Sequence, residues 1–313
     1  IRNSYLEYYS WPRRCDPIIL QKTTFILIYL LLSIFFSTGL FVIFKYFGIY
    51  KIDTLKAIVV NYVVAFLLGF LSAEKTIAIS EIHHQSWFFG ALFLGVLFVS
   101  IFFVMAITAQ KNGISVASIS GKMSVVIPIF FGFFLYDESI NFFKITGIII
   151  ALVAVYLASD KNDKNNFNKE ALVFPLLLFF GSGIIDTTLK YVEVHFVLAH
   201  EVAIFSGSLF AIAAFFGSII LGIKALRKKV SFGFKNIIAG IVLGVPNYYS
   251  IVFLIKALQT EGFESSTLFT LNNVAIVIVS SILGLILFKE RFYTKNKIGV
   301  FLAVIGIILV TLA

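Results

Sequence analysis

Ten apolar runs, each near the length that hydrocarbon demands, follow one another through almost the whole chain and leave little freedom of fold. A helix rises ~1.5 Å per residue, so crossing a ~30 Å core takes about 20 residues. Breaks at charged or Gly/Asn-rich stretches leave runs at 24–46, 54–72, 87–109, 114–136, 140–158, 170–191, 197–222, 236–257, 264–287 and 296–313. With 60% of its 313 residues hydrophobic and 13% charged, the chain is too apolar for one soluble core. It reads as an all-α integral membrane protein with ten transmembrane helices. The structural alternative is that one or two runs re-enter the membrane without crossing it.

The net charge of +9 comes from Lys and Arg lying mostly between the apolar runs. That pattern fits anionic lipid headgroups better than nucleic acid. The single cysteine, Cys15, cannot form an internal disulfide, and no Cys/His spacing resembles a metal site, so neither metal nor cofactor is expected. Residues 1–22 stand apart as an N-terminal segment without the apolar core and cleavage site of a signal peptide. The first methionine is Met105, so the Ile1 start is expected to reflect a fragment, a non-standard start codon or an over-extended reading frame.

The apolar runs fall into two related sets. Residues 132–159 and 284–311 match at an offset of 152, pairing Gly132 with Gly284, Leu135 with Leu287, Glu138 with Glu290 and Gly147 with Gly299. Upstream, Leu94-Gly95-Val96 and Gly113 answer Leu243-Gly244-Val245 and Gly262, while Ser37 and Lys45-Tyr46 answer Ser182 and Lys190-Tyr191. The linker 160–169, DKNDKNNFNK, is too polar for lipid and separates a first repeat, 23–159, from a second, 170–313. Five spans per repeat make the second enter from the opposite side, so an inverted pair around a central cavity is expected. Internal duplication of this kind is the common plan of secondary transporters.

The repeated segment is a helix with a proline or small residues, a turn with glutamate, then an apolar helix opening on I-G. It stands here as Pro128, Glu138 and Gly147 and, without the proline, as Ser280, Glu290 and Gly299. It resembles the fourth-to-fifth helix signature of the drug/metabolite transporter superfamily, specifically its EamA-type members, and the resemblance extends over nearly the whole chain. What it implies is a ten-helix carrier, often an exporter of amino acids, drugs or other small metabolites, with relatives that exchange nucleotide sugars or sugar phosphates. It also implies cytoplasmic termini in a cell membrane. The charge distribution opposes that orientation: seven of the 25 basic residues flank the spans on the side of the N-terminus and sixteen on the other. The missing proline in the second copy means that bending there need not be symmetric.

Lys122 lies eight residues inside the fourth run. A cation at the bilayer centre costs about 2.5–3.5 kcal/mol on insertion scales, so it should face the bundle interior, a watery cavity or a partner. Ser115, Ser118 and Lys122 share one helix face. Lys122 would serve as counter-charge for an anionic substrate group or as a titrating switch; alternatively its stem snorkels to the nearer interface. Asp186 in the sixth run is its natural partner, or a site for an ammonium group or coupling proton. A local pair with Lys190, four residues on, is the plainer explanation.

In the ninth run Ser266, Thr270, Asn273 and Ser281 lie near one face, beside Asn272. They either line the cavity or join helices through hydrogen bonds of about 0.6–2 kcal/mol. Asn273 is the first candidate for substrate binding, since the repeat sets it opposite Gly121. Pro246-Asn247-Tyr248-Tyr249-Ser250 offers a freed carbonyl and the polar tips of Asn247 and Tyr248; Pro128 is expected to free a carbonyl beside Lys122 in the same way. Asn61, Ser33, Ser37 and Ser100 are lesser candidates. Glu138 and Glu290 fall at helix ends and are read chiefly as interface anchors.

A secondary carrier is therefore the leading function, with a small-molecule substrate, a coupling proton or counter-substrate, the lipid bilayer as partner, and a monomeric or homodimeric state. An organic-anion exchanger using Lys122 is the runner-up; a channel comes behind. The zinc motif, nucleophile elbow and phosphate-binding glycine loop that would signal an intramembrane enzyme or ATP-driven pump are absent.

Overall fold

The computed structural model describes residues 17–72, 79–135, 142–159, 169–198, 201–227, 233–259 and 265–312. Apart from one short 3₁₀ turn at Ile79–His84, its elements are α-helices, and no strand occurs among the described residues. In chain order they are α1 (Pro17–Ile49), α2 (Thr54–Leu71), α3 (Phe88–Lys111), α4 (Ile114–Met123), α5 (Val126–Leu135), α6 (Phe142–Ser159), α7 (Lys169–Phe196), α8 (Val202–Arg227), α9 (Phe234–Gln259), α10 (Ser265–Phe288) and α11 (Thr294–Leu312).

Eight stretches are long and apolar enough to cross a membrane, with α4 and the start of α5 together forming one of them, Ile114–Phe131. The fifth and tenth runs are the shorter ones. In α6 the apolar stretch is Ile145–Ala158, and α11 opens on Thr294-Lys295-Asn296-Lys297 before its apolar part begins. The outward faces carry large apolar side chains, Phe35 at 70%, Phe89 at 77% and Leu226 at 89% exposure among them. Such a surface is at home against lipid tails rather than water.

Small residues stand where helices come closest. Where lipid is as apolar as the side chains, helices associate by close backbone approach. Gly240 and Gly244 of α9 lie against α2 so tightly that a Cβ would stand 2.7 Å from the Ala57 carbonyl oxygen and 2.9 Å from that of Asn61. At Gly299 of α11 a Cβ would come within 2.6 Å of the Ala158 backbone nitrogen of α6. Ala151, Ala154, Ala303 and Ile307 are buried along that same α6–α11 seam. Gly147, the matching glycine of α6, is also buried.

Helix neighbours cross between the two runs of sequence. α1 and α2 pack on α9, α7 and α8 pack on α3, α2 meets α8, and α6 meets α11 along its length. α1 also touches α10, as α7 touches α4. Tyr62 sits at one of these crossings, fully buried, its hydroxyl donating to the Phe98 carbonyl at 2.9 Å and its ring near Phe102 and Phe210.

The α6–α11 seam leaves no room for a larger residue. Gly299→Leu is expected to destabilise the protein by about 1–3 kcal/mol, the usual cost of overpacking, read as a lower unfolding temperature in detergent. Gly39→Leu is the control, because nothing lies within 4 Å of its Cβ position; equal losses in both would remove the seam's special role.

Candidate functional site

The fourth run is broken where its proline dictates. Pro128 has no N–H to give the Ser124 carbonyl, which instead accepts a tighter bond from the Ile127 N–H at 2.9 Å. Helix α4 stops at Met123 and α5 begins at Val126. α10, whose corresponding position is Ser280, runs unbroken from Ser265 to Phe288. The fourth and ninth runs differ in bending for this reason.

Gly181 and Gly183 bring α7 to the break. A Cβ on Gly181 would meet Ile101 of α3 at 2.1 Å, and one on Gly183 would meet Ile127 of α5 at 2.3 Å. One turn on, Asp186 is exposed, while Lys122 in the last turn of α4 is half-buried. Their charges act on one another without a direct ion pair. The buried Ser124 hydroxyl lies 2.6 Å from the Gly121 carbonyl and 3.4 Å from Asp186 Oδ2. It has one proton for two acceptors, so it can serve the carboxylate or the backbone but not both. Asp186 is thus engaged by Lys122 and Ser124 across the helix gap.

The expected stripe on α4 is a seam with the second run of sequence. Ser115 Oγ donates to Glu290 Oε2 at 3.2 Å, the Ser118 hydroxyl accepts from Ser280 Oγ, and Lys122 lies within electrostatic range of Asp186. Ser118 is fully buried and itself donates to the Ser115 carbonyl, so its place is between α4 and α10. Asn247 is likewise buried, donating to Asn61 Oδ1 at 3.2 Å and joining α9 to α2. Tyr248 is half-buried beside Tyr249, with ring centroids 5.3 Å apart. Asn273 is buried on α10 next to Asn272, whose Oδ1 has no hydrogen-bond donor among the described residues. Thr270 belongs to α10, but its side chain, like Glu138, lies outside the described residues.

Glu290 does more than anchor an interface. Its Oε1 accepts from the Ile114 N–H at 2.9 Å and lies 3.6 Å from Lys45 Nζ. The N-cap of α4 is Gly113, which has no side chain to cap with, and Glu290 supplies that function from the turn after α10. Gly113 adopts φ 108°, and a Cβ there would stand 2.7 Å from the Glu290 carboxylate. The chain reaches this position because Lys289 turns left-handed, φ 49°, at the end of α10, and the Glu290 N–H donates to the Gly284 carbonyl. Around the carboxylate is a cavity of about 340 Å³ lined by Lys45, Ser115, Arg291, Tyr293 and Asn296 among others.

The same end of the bundle holds further polar links that no motif announced. Asn296 Nδ2 donates to the carbonyls of Leu157 and Ala158, closing the end of α6 against the start of α11. Lys45 Nζ donates to the Gln110 carbonyl, and Gln110 Nε2 donates to Thr54. Asp53 caps α2, receives Lys224 Nζ at 3.4 Å from α8, and donates its own N–H to Asn236 Oδ1 of α9. Burial works to raise the Asp53 carboxyl, but Lys224 and Lys56 outweigh it and hold the group below its ordinary value. Repeat matching could have flagged Lys45, which answers Lys190; nothing local pointed to Asn296.

Among known proteins, the chain is 28% identical over 254 residues to an uncharacterized protein of Haemophilus influenzae, the match covering 78% of this chain and 84% of that one. A solved crystal structure of a protein superposes with a TM-score of 0.54 at 15% identity, covering 93% of this chain and 98% of the other. At that identity the likeness is one of fold. No protein-family model matches the chain.

Removing the Glu290 charge should weaken the capping of α4. Glu290→Gln is expected to cost about 1.5–3 kcal/mol, the range for hydrogen bonds to charged groups, measured by denaturant or thermal unfolding. Lys45→Met in the Gln variant should then add little; additive losses would show that the two residues act separately.

Proposed function

We propose that the protein is a secondary active carrier of the drug/metabolite transporter type. It would move a small metabolite, amino acid or drug-like compound across the cell membrane by alternating access, with export as the direction. In this reading α4 with α5 counts as one span and the shorter α6 and α11 are also spans, making ten in two inverted halves of five. The two short helices pack on each other through small residues, which eases their mismatch with the bilayer. The protein acts without chemistry on its substrate and without a cofactor. Both termini lie on the same side: the resemblance favours the cytoplasm, and the balance of basic residues opposes it.

The observation that carries the proposal is that Asp186 of α7 reaches the break between α4 and α5, its carboxylate 3.4 Å from the Ser124 hydroxyl two residues after Lys122, so that opposite charges from either side of the linker 160–169 lie within electrostatic range there. Lys122 is eight residues from one end of the span Ile114–Phe131 and nine from the other, ~12 Å and ~13.5 Å at 1.5 Å per residue. Charges at such depth are costly unless they face a cavity or each other, and they mark substrate or ion pathways. Broken helices near the midplane are where carriers expose polar backbone to a cargo. The pairwise exchange of neighbours supports the two-fold plan: α1 on α9 mirrors α7 on α3, and α2 on α9 mirrors α8 on α3.

Two substrate classes fit this pair. Asp186 would receive an ammonium group or a coupling proton, and Lys122 a carboxylate or phosphate. An organic-anion exchanger is the second reading, favoured by the depth of Lys122.

A thermal-stability screen of the purified protein against metabolites grouped by charge tests the proposal, since ligands that bind the folded state raise its apparent stability. An anionic substrate should stabilise wild type and lose about tenfold or more in affinity in Lys122→Met, equivalent to ~1.4 kcal/mol. A zwitterion or cation that still stabilises that variant would assign recognition to Asp186. In reconstituted vesicles Asp186→Asn should abolish the pH dependence of substrate flux. An unchanged pH profile would remove Asp186 from coupling, and absence of saturable flux for every stabilising ligand would overturn the carrier reading.

A further inference from the structure

The turn from α10 into α11 reads Lys289-Glu290-Arg291-Phe292-Tyr293-Thr294-Lys295-Asn296-Lys297, four cations to one acid. That acid is engaged by the α4 N-terminus and Lys45, so it does not neutralise the cations around it. Lys289, Arg291 and Lys297 are exposed and form no ion pair among the described residues. Beside Lys297, between α10 and α11, runs a cavity of about 310 Å³ lined also by Ile278, Ser281, Ile282, Leu285, Phe292 and Val300, while Arg291 lines the adjoining cavity around Glu290. Ile278, Ile282 and Leu285 are themselves exposed, so this groove opens on the outside of the bundle, away from the Lys122 and Asp186 pair.

We propose that this groove is a binding site for an anionic glycerophospholipid, one acyl chain lying between α10 and α11 and the phosphate held by Arg291 and Lys297. In a bilayer an outward-facing apolar groove is filled by hydrocarbon, and the basic turn at its mouth selects the headgroup. Lys297 suits both parts: its aliphatic stem lines the groove while its ammonium reaches up to the headgroup level. Arg291 adds a planar donor fork matched to phosphate. The site adjoins the Glu290 cavity, because Phe292 and Val300 line both. A bound lipid therefore rests against the turn that carries Glu290 to the α4 N-terminus.

The test is lipid titration of the delipidated full chain in neutral detergent, read by thermal stability, with dioleoyl phosphatidylglycerol, dioleoyl phosphatidylcholine and inorganic phosphate as separate probes. Each cation near the headgroup favours an anionic lipid over a zwitterionic one. Two of them should give phosphatidylglycerol at least about a tenfold lower apparent Kd than phosphatidylcholine. Arg291→Gln with Lys297→Gln should bring the two lipids to parity by weakening phosphatidylglycerol far more than phosphatidylcholine, and the phosphatidylcholine binding that remains also shows that the variant is folded. Ile282→Trp, which fills the groove from an exposed position, should weaken both lipids. Equal affinities in wild type, or a preference that survives the double substitution, would overturn the proposal. So would stabilisation by inorganic phosphate equal to that by phosphatidylglycerol, since the acyl groove would then contribute nothing. None of these readouts depends on transport.

Discussion

Hydrocarbon exerts no hydrophobic force between apolar helices, so this bundle depends on backbones that come close and on polar groups that pair between helices. Glycines supply the first requirement at the crossings that matter. Gly240 and Gly244 set α9 on α2, Gly299 sets α11 on α6, and Gly181 and Gly183 set α7 on α3 and α5. Each removes a side chain where a Cβ would strike the neighbour. The large residues displaced from these seams point outward, where lipid receives them.

Polar pairing is concentrated along α4. The helix is short, capped at one end by a carboxylate that belongs to the turn after α10 and broken at the other by Pro128. Ser115 and Ser118 therefore bond to Glu290 and Ser280, and Lys122 comes within electrostatic range of Asp186, all three partners lying beyond the linker 160–169. One helix face thus couples an anchored end of the bundle to the charged pair at mid-depth. Movement of one half against the other would have to loosen these contacts, and the weak, shared hydrogen bond of Ser124 marks the end of the seam best able to change.

Much of this was legible in the residues. Run length and composition indicated an all-helical membrane protein, because the hydrocarbon core sets a length that sequence records directly. Lys122 and Asp186 stood out as charges in apolar runs, and Pro128 as a breaker. The roles of neutral polar residues were less legible. Ser118 and Asn247 had the same appearance as cavity residues, yet they hold helices together, because a hydroxyl or amide satisfies either need with the same atoms. Glu290 was visible as one half of a repeated signature, while its partner, the bare N-terminus of α4, became visible only when the chain came together.

The sequence by itself determined what each segment must avoid: water for the apolar runs, a continuous helix at Pro128, an unpaired charge at Lys122. These are local properties of residue chemistry and period, indifferent to which helix stands alongside. Only the tertiary structure decided the partners, with Asp186 engaged by Lys122 and Ser124 rather than tied to Lys190 a turn away, and Glu290 capping a helix 176 residues earlier in the chain. Those pairings depend on which backbones can approach to within a side chain's reach. That distance is set jointly by glycines on several helices, and no single stretch of sequence contains it.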